Sequence, residues 1–391
     1  MEKVRLGIIG TGGLAQNQHI PNICMQARNA ELHVLCDLRP DVLEKLGKYY
    51  GVGRLETDYQ KVLADQDVEG VVIVTKEDSH VPLTLAALEA GKHVYVEKPL
   101  ADNAAACDKV VALQKKTGKR VFVGMNRRLA PAYVYAKELL WKNGGPKNMF
   151  YRIADGYSLG WGQNHKGGQR VVHEICHIFD ILRFFAESEV RSVYALEARP
   201  DDEQFMLRFE SGAVATILGS GYVGLDMPKE RFEAIAAKGA VTVEDFSEVR
   251  RYSFDDGKPV ETFAGHWHPM RDRLHAPLLK ELGAAALHAI RKTNWDAVRR
   301  YDELNAKGET GTEEFERLEE VVKNHLPMGN YFMDKGWLGT IEHFAACVRD
   351  ADLEQLAAGA FDGLQAARIT EAAIKSRGTG EVVHLGRELS K

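Results

Sequence analysis

The first third of the chain alternates short, nearly continuous apolar runs with longer stretches of helical periodicity. The apolar runs are Val4–Ile9, Glu31–Cys36, Gly70–Val74, His93–Val96 and Arg120–Val123. Runs of this kind are typical of strands that are buried on both faces of a parallel sheet. The helical stretches between them are Asp41–Tyr50, Tyr59–Ala64, Pro82–Ala90 and Ala104–Thr117. The alternation predicts an α/β fold whose N-terminal domain, residues 1–126, contains a doubly wound parallel sheet.

After residue 127 the pattern changes, because strand-like segments follow one another without helices between them. A helix and the segment Arg170–Phe185 come first, and six β-like segments follow: Ser192–Ala198, Gln204–Phe209, Ala213–Gly219, Arg231–Ala236, Ala240–Glu244 and Glu248–Phe254. This order predicts a C-terminal α+β domain, residues 127–391, built on an open-faced and mainly antiparallel sheet. The open face of such a sheet needs cover, so we expect a homodimer or homotetramer that associates through it.

The C-terminal part of the chain returns to helical periodicity. Residues from about 277 to 324 are heavily charged and helical in pattern in the segments Lys280–Thr293, Trp295–Ala306 and Glu313–Lys323. Gly308 and Gly311 mark a turn between the last two segments, which predicts an inserted helical pair. Two closing helices are predicted at Tyr331–Asp350 and Leu353–Ser376, followed by a short last strand at Val382–Leu385.

Composition limits the classes of partner. The net charge is −5 with no clustered Lys and Arg, so the sequence predicts neither a nucleic-acid nor a membrane-surface partner. No apolar run approaches the roughly 18–20 residues of a membrane-spanning helix. The 5 cysteines are scattered and form no C-x-x-C pair, which argues against a disulfide framework or a thiolate zinc site. The scattered cysteines fit best with a reducing cytoplasm.

A glycine-rich turn follows the first strand and opens a helix. Its residues match G-x-G-x-x-A, and they are Gly10, Thr11, Gly12, Gly13, Leu14 and Ala15. The first glycine permits the tight turn, the second lets the backbone approach a pyrophosphate, and the alanine allows close helix packing. The helix N-terminus offers free N–H donors to the phosphates. The turn therefore predicts dinucleotide binding, against the plainer alternative of a glycine-rich surface turn.

Asp37 ends the second strand some twenty residues after the glycines. A carboxylate at this spacing hydrogen-bonds the ribose hydroxyls of NAD and repels the extra phosphate of NADP, so NAD is the predicted cofactor. Arg39 stands two residues later and could reach a 2′-phosphate, which leaves NADP open as a second cofactor.

Lys98 lies at the carboxyl end of the strand His93–Val96, at the sheet edge where open α/β sheets bind ligands. A lysine beside a bound nicotinamide can hydrogen-bond the reacting oxygen of an alcohol. From the residues alone, a catalytic lysine and a solvent-facing lysine without a catalytic role are equally supported, because lysines at strand ends are common.

Several motifs together resemble the Gfo/Idh/MocA oxidoreductases, which include glucose–fructose oxidoreductase and inositol dehydrogenase. They are the Gly10–Ala15 turn and the segments Thr75–His80, Ala87–Val94, Glu97–Pro99 and Gly124–Arg128. The resemblance covers nearly the whole chain and implies a Rossmann domain followed by an open-faced sheet domain. It also implies that Lys98, in the Glu-Lys-Pro triplet, takes part in catalysis. On the same basis we expect cofactor contacts from Thr75, His80, Glu97, Lys98 and Asn126, and a substrate contact from Arg127.

A histidine-bearing segment carries the second part of the predicted site. His173, His177 and Asp180 are spaced by four and three residues, which predicts one shared helix face. In the family the corresponding helix reads approximately D-x-G-x-H-x-x-D, and the resemblance makes His177 the acid or base that moves the hydroxyl proton. His173 stands where the family has Asp, so the carboxylate that polarises the base is missing at that position. We expect His173 to bind a substrate hydroxyl or share a proton with His177.

The same residues, 173–177, also spell H-E-x-x-H, in which two histidines bind zinc and the glutamate activates water. A third ligand is not evident, and this interpretation leaves the Rossmann half without a purpose, so no metal site is predicted. A further alternative is that the histidines only line a polar helix seam. Just before this helix, Tyr157, Trp161 and His165 lie in a glycine-bearing segment whose aromatic and polar groups suit a sugar site.

Together these features predict an NAD-dependent oxidoreductase. Hydride would pass between nicotinamide and a secondary alcohol of a sugar- or cyclitol-like substrate, with Lys98, His177 and His173 at the reacting centre. Two alternatives remain open from the sequence: a redox-neutral glycosidase of the same family that uses bound NAD, and a zinc hydrolase that uses residues 173–177.

Overall fold

The computed structural model describes residues 2–159, 168–224, 227–254, 257–263, 296–297, 300–301, 303–324 and 333–386. Within these ranges the chain forms a six-stranded and a nine-stranded sheet. Helices cover both faces of the first sheet and one face of the second. This is the predicted fold class, an N-terminal doubly wound sheet followed by an α+β domain, and it is confirmed.

The first sheet is entirely parallel. Its strands are β1 (Val4–Ile9), β2 (Ala30–Cys36), β3 (Arg54–Glu56), β4 (Gly70–Ile73), β5 (His93–Val96) and β6 (Val121–Val123). They lie in the order β3-β2-β1-β4-β5-β6, so the strand order reverses between β1 and β4. In open α/β sheets the crevice at such a reversal, outside the carboxyl ends of the strands, is where ligands bind. Five strands occupy the predicted segments, and β3 is an additional one.

Local signals in the sequence explain the helices of this domain. They are α1 (Pro40–Tyr50), α2 (Tyr59–Ala64), α3 (His80–Glu89) and α4 (Ala104–Thr117). The Asp58 and Asn103 side chains cap the backbone N–H groups at the starts of α2 and α4. Gly51 and Gly118 end α1 and α4 in the left-handed conformation that favours glycine. Between β1 and β2 the backbone makes two π-helical turns, Ala15–His19 and Asn22–Gln26.

The second sheet is mixed rather than purely antiparallel. Its strands are β7 (Pro146–Ala154), β8 (Val190–Arg199), β9 (Asp202–Phe209), β10 (Val214–Ser220), β11 (Glu230–Ala236), β12 (Ala240–Glu244), β13 (Glu248–Tyr252), β14 (Val260–Thr262) and β15 (Val383–His384). The sequence analysis did not predict β7, which lies at the centre of the sheet. This strand is parallel to β10 and antiparallel to β11, while the other described pairs of this sheet are antiparallel.

One face of the second sheet is buried under helices and the other is open. The covering helices include α5 (Pro131–Lys142) and α6 (Cys176–Ala186). Fully buried aromatic rings fill the space beneath them, and Phe185 stacks on Phe232 with ring centroids 4.3 Å apart. On the open face the exposed apolar side chains are Leu196, Met206, Val214, Leu218 and Ile235.

The C-terminal helices return to the Rossmann sheet. Among the described residues, α7 (Glu313–Asn324) belongs to the charged insert and packs with Leu304 and Tyr301 in a small cluster of its own. The closing helices α8 (Trp337–Arg349) and α9 (Ala360–Thr379) place side chains in the cores beneath the first sheet. The predicted domain boundary at residue 126 therefore divides the strands of the two sheets. Helices from the second part of the chain nevertheless pack against the first sheet. The predicted helix Lys280–Thr293 lies outside the described residues, as do parts of Trp295–Ala306.

Two general properties bear on function. All 5 cysteines are free thiols, and 4 of them are buried. No helix in the part of the chain that the structure describes is both long and apolar enough to cross a membrane.

Candidate active site

A cleft of about 780 Å³ opens at the carboxyl ends of β1, β2, β4 and β5. Ten of the residues predicted to bind cofactor line it together, although they come from four separate chain segments: Gly10, Gly12, Gly13, Leu14, Asp37, Arg39, Thr75, His80, Glu97 and Lys98. The cleft lies at the strand-order reversal between β1 and β4. The parallel topology thus brings together, at one edge of the sheet, side chains that are spread over almost ninety residues of the sequence.

The glycine turn has the backbone geometry that a dinucleotide needs. Gly10 has φ +95°, and a Cβ there would lie 2.8 Å from the carbonyl carbon of Val74, so a side chain does not fit. A Cβ on Gly12 or Gly13 would meet no atom within 4 Å, because both positions face open space in the cleft. Ala15 is fully buried against the sheet. The turn therefore leaves a free cradle at the helix N-terminus, which fits a pyrophosphate.

Asp37 closes the far side of this turn. Its Oδ2 accepts hydrogen bonds from the Thr11 backbone N at 2.7 Å and from Thr11 Oγ1 at 2.8 Å. Arg39 Nε donates to its Oδ1 at 2.8 Å. Burial favours the neutral acid, but the bonds from Arg39 and Thr11 outweigh it and hold the pKa of Asp37 below its ordinary value. A carboxylate is thus fixed at the end of β2, and the Arg39 guanidinium at the edge of the cleft is paired with it.

Three further predicted cofactor residues brace the cleft or lie behind it. His80 Nδ1 lies 2.7 Å from the Pro99 carbonyl oxygen, which ties α3 to the loop that follows Lys98. Glu97 Oε1 lies 2.7 Å from His19 Nε2 inside the domain. Asn126 is buried and donates its side-chain N–H to the Lys335 carbonyl oxygen at 2.6 Å. It is not among the residues that line the cleft. A cofactor contact from Asn126 stays a prediction without support from this geometry.

Lys98 connects the cleft to the C-terminal domain. Its Nζ donates to the His173 carbonyl oxygen at 2.5 Å and lies 3.4 Å from Glu174 Oε1. Its side chain is 17% exposed and lines the cleft. The lysine at the strand end is therefore not a free surface lysine, since it is anchored beneath the start of the histidine helix.

Glu174 is the centre of a buried network of charges. Its Oε2 lies 3.1 Å from Lys229 Nζ, and Lys229 Nζ lies 2.7 Å from Asp155 Oδ2. Burial alone would raise the pKa of Glu174, but the charges of Lys229 and Lys98 hold it well below its ordinary value. The chain thus holds an ionised carboxylate between two ammonium groups, one of which faces the cleft.

His177 lies on the inner side of the same helix and is 5% exposed. Burial, followed by the positive charges of Arg127 and Lys98, holds the pKa of His177 well below its usual value. The imidazole is therefore neutral at physiological pH and able to accept a proton. The Arg127 guanidinium itself forms a bidentate ion pair with Glu230, with N–O distances of 2.7 and 2.8 Å. Its predicted contact with substrate stays a prediction.

The prediction that His173, His177 and Asp180 share one α-helix face is wrong for His173, because only His177 and Asp180 lie in the α-helix. Residues Val171–Ile175 form a π-helical turn, and the α-helix proper starts at Cys176. The extra residue of a π turn changes the angular position of the residues before it relative to the α-helix that follows. His173 Nδ1 lies 3.8 Å from Glu77 Oε1 at the cleft rim, whereas Asp180 is buried and paired with Arg128.

This geometry also disfavours the zinc interpretation of residues 173–177. His173 and His177 face different surroundings, and the Glu174 carboxylate is held by two lysines instead of facing a metal-bound water. Within the described ranges, the one group of ligand atoms close enough to share a metal ion is His33, Asp65 and Asp67, and it lies elsewhere.

The predicted sugar-binding segment is described only in part. Tyr157 is buried, with its backbone N bonded to Asp155 Oδ1 at 3.2 Å, next to the Lys229 network. Trp161 and His165 lie outside the described residues. The sequence analysis missed Asp155 and Lys229 and considered Glu174 only as a metalloprotease glutamate. No local motif marks these three residues, because the charge pairs join segments that are far apart in the chain.

Comparison with protein families agrees with this geometry. Residues 4–125 match the Gfo/Idh/MocA family model, described as an oxidoreductase family with an NAD-binding Rossmann fold. The inositol 2-dehydrogenase of Acidothermus cellulolyticus is 28% identical over 280 residues, which are 68% of this chain and 79% of that protein. The myo-inositol 2-dehydrogenase of Thermotoga maritima is 28% identical over 260 residues, or 63% and 76% of the two chains. These matches agree with the predicted family and with NAD as the predicted cofactor for residues 4–125, and the two relatives are dehydrogenases of the predicted class.

Solved structures match over both domains. The scyllo-inositol dehydrogenase of Lactobacillus casei, with bound NAD(H) and scyllo-inositol, superposes with a TM-score of 0.69 and 17% identity over 98% of this chain and 99% of that one. A levoglucosan dehydrogenase in complex with NADH and levoglucosan superposes with a TM-score of 0.71 and 17% identity, over 98% of this chain and 99% of that one. At this identity the likeness establishes the fold of the whole chain.

Proposed function

Residues 4–125 belong to the Gfo/Idh/MocA family of NAD-binding oxidoreductases, and from this premise we propose that the chain oxidises a secondary alcohol of a sugar or cyclitol. The names of its relatives support a polyhydroxylated substrate, since several are inositol dehydrogenases. The charged and polar lining beside Lys98 supports it too, because hydroxyl groups need hydrogen-bonding partners in a buried site.

Lys98 and His177 are the proposed catalytic residues. The Lys98 ammonium donates a hydrogen bond to the substrate oxygen and stabilises negative charge that develops there. Neutral His177 accepts the hydroxyl proton on a ring nitrogen, which general-base catalysis at physiological pH requires. His173, at the cleft rim beside Glu77, binds a substrate hydroxyl.

The cleft residues hold the cofactor. NAD, when bound, supplies a nicotinamide that accepts hydride from the carbinol carbon. The Gly10–Ala15 turn would hold the pyrophosphate, and the fixed Asp37 carboxylate would receive the ribose hydroxyls. Because Arg39 is bound to Asp37, it reinforces a site for NAD rather than one for the 2′-phosphate of NADP.

One observation carries this proposal: the Lys98 Nζ, in the cofactor cleft, is bonded to the backbone of the segment that leads into the His177 helix. The proposed hydrogen-bond donor is thus tied to the segment that precedes the helix of the proposed proton acceptor. The plain alternative, a solvent-facing lysine after a strand, does not explain this anchoring.

The test is a substrate panel with a matched pair of variants. Purified protein is incubated with NAD and individual inositols and sugars while NADH formation is followed. On the substrate found, Lys98→Met should lower kcat about 10²- to 10⁴-fold, the typical contribution of a positioned proton-handling group. It should leave NADH affinity nearly unchanged. Lys109→Met, an exposed lysine on α4, serves as the control and should behave as wild type. Wild-type turnover by Lys98→Met would overturn the assigned role.

The same assay separates the two alternatives from the sequence. A redox-neutral glycosidase would cleave glycosides without net NADH, and a zinc hydrolase would lose its activity to a chelator. The ion-paired Glu174 and the inositol-dehydrogenase relatives favour net oxidation over both.

Assembly and location are also proposals. We propose that two or four copies associate through the open face of the second sheet, where Leu196, Met206 and Ile235 are about half exposed. The free cysteines suit the reducing cytoplasm.

A further inference from the structure

Glu174 is buried between two lysines that come from different parts of the chain. Its side chain is 8% exposed, and its two oxygens face Lys98 and Lys229 at 3.4 and 3.1 Å. Lys229 is further held by Asp155 at 2.7 Å, whereas Lys98 has its other contact to a backbone carbonyl and opens onto the cleft. In this network the Glu174 carboxylate is the negative partner of the cleft lysine.

The π-helical turn gives Glu174 this inward position. Within Val171–Ile175 the structure buries Glu174, while His173 lies at the rim beside Glu77. The His177 helix then continues from Cys176 as an α-helix. Single π turns inside helices are often found at functional sites, where they redirect a side chain.

We propose that Glu174 is a positioning residue of the dehydrogenase reaction, which holds the Lys98 ammonium at the cleft and supplies the negative charge that keeps His177 an effective proton acceptor. This inference rests on the proposed function and names the residue that tunes the same site. It also gives Lys229 a role, which is to balance the Glu174 charge so that the carboxylate can stay buried.

The charges around His177 support this assignment. Among the described residues, those that bear most on the imidazole are the cations Arg127, Lys98 and Lys229 and the anion Glu174, and they come from four separate segments. Burial and the three cations lower the pKa of His177, and Glu174 alone of the four raises it. Loss of the Glu174 charge would leave an imidazole surrounded by positive charge, which makes it a weaker base.

Glu174→Gln tests the inference, because it removes the charge and keeps the shape. We expect kcat to fall about tenfold or more with little change in NADH affinity, since a weaker base slows proton transfer and not cofactor binding. The acidic limb of the kcat/KM profile should move to lower pH. The control is Glu189→Gln, which removes a carboxylate paired with Arg183 at the other end of the same helix. It should leave both kcat and the profile unchanged.

A second readout needs neither substrate nor cofactor. The pKa of His177 is measured by NMR on ring-labelled histidine, with His177→Gln to assign the signal. Glu174→Gln should lower this pKa, Lys229→Met should raise it, and Glu174→Asp should restore most of the wild-type value. If Glu174→Gln does not fold, the comparison of Lys229→Met with the Glu174→Gln/Lys229→Met double variant isolates the Glu174 charge in a less cationic setting.

The outcomes separate this inference from the proposed function. An unchanged His177 pKa, together with kcat in Glu174→Gln equal to that of the Glu189→Gln control, would overturn the role of Glu174 while leaving the dehydrogenase intact. Absence of NAD-dependent oxidation by the wild type would overturn the proposed function, whatever the NMR titration shows.

Discussion

At the scale of single residues, the site depends on buried charges of opposite sign that compensate one another. Lys98, Glu174, Lys229 and Asp155 alternate in sign along one chain of contacts. Removal of one member leaves an uncompensated buried charge, which commonly costs about 3–5 kcal/mol. The sequence could not reveal this chain, because its members are separated by up to 131 positions and no spacing rule links them.

Restoring a carboxylate at residue 173 should change the pH profile in a predictable direction. His173→Asp adds a negative charge near the His177 helix, and a nearby negative charge raises the pKa of an imidazole. The acidic limb of kcat/KM should therefore move to higher pH, with partial activity kept. His173→Asn, which has the same shape without the charge, should show no upward shift. Equal profiles for the two variants would mean that residue 173 is not coupled to His177.

Asp37 should determine the cofactor. In Asp37→Ser the carboxylate that repels a 2′-phosphate is lost and Arg39 is released from its ion pair. The ratio of NADP to NAD affinity should rise about tenfold or more, equivalent to about 1.4 kcal/mol. Fluorescence titration with NADH and NADPH measures both affinities. Asp41→Ser, an exposed change in the first turn of α1, is the control, and an unchanged ratio in Asp37→Ser would contradict the assignment.

At the scale of elements, the sequence predicted strongly patterned segments and missed weakly patterned ones. The long apolar strands of the first sheet and the glycine turn have local signals, and they lie where predicted. Strand β3 is three residues long and only half-buried, and β7 begins with the polar residues Lys147 and Asn148, so neither shows a clear period. The π turn at Val171–Ile175 has no sequence rule comparable to a helix cap, and it accounts for the wrong prediction of one shared histidine face.

One buried carboxylate of strand β9 should make stability depend on pH. Burial raises the pKa of Glu203 to about 7, against the opposing charge of Arg377. Because the folded state binds this proton more tightly than the unfolded chain, its stabilising contribution is complete below the unfolded pKa and is lost as pH rises through about 7. Thermal unfolding at about pH 5 and about pH 8 should therefore show a smaller loss of stability in Glu203→Gln than in wild type. An equal loss of stability in both proteins would contradict this role of Glu203. Glu233→Gln, on the exposed face of β11, is the control.

At the scale of the whole molecule, helices that follow the second sheet join the two sheets. Phe344 of α8 and Leu364 of α9 lie in the cores beneath the Rossmann sheet, while Ile369 of α9 packs in the core of the second sheet. One continuous helix, α9, thus packs against both sheets and fixes their relative position. This arrangement gives a physical basis for the contact between Lys98 and the His177 helix, because the two sides of the site cannot move apart without unpacking α9.

The open sheet face should be the site of self-association. Met206 is 59% and Leu218 37% exposed, on neighbouring strands of that face. Met206→Glu/Leu218→Glu should convert the proposed dimer or tetramer to monomer, because buried unpaired carboxylates oppose an apolar contact. Light scattering coupled to gel filtration measures the mass. Tyr49→Glu, at an exposed apolar residue of α1, controls for added charge. A wild-type mass in the double variant would place the interface elsewhere.

The central claim, that this chain moves hydride from a secondary alcohol to NAD, is tested most directly by following the hydrogen itself. Inositols and sugars deuterated at their carbinol carbons are incubated with the protein and NAD, and the NADH produced is analysed by mass spectrometry. We expect NADH that carries deuterium from one substrate class, formed about 10²- to 10⁴-fold more slowly when Lys98→Met replaces the wild type. Cleavage of glycosides without deuterated NADH, or no transfer from any polyol of the panel, would contradict the account.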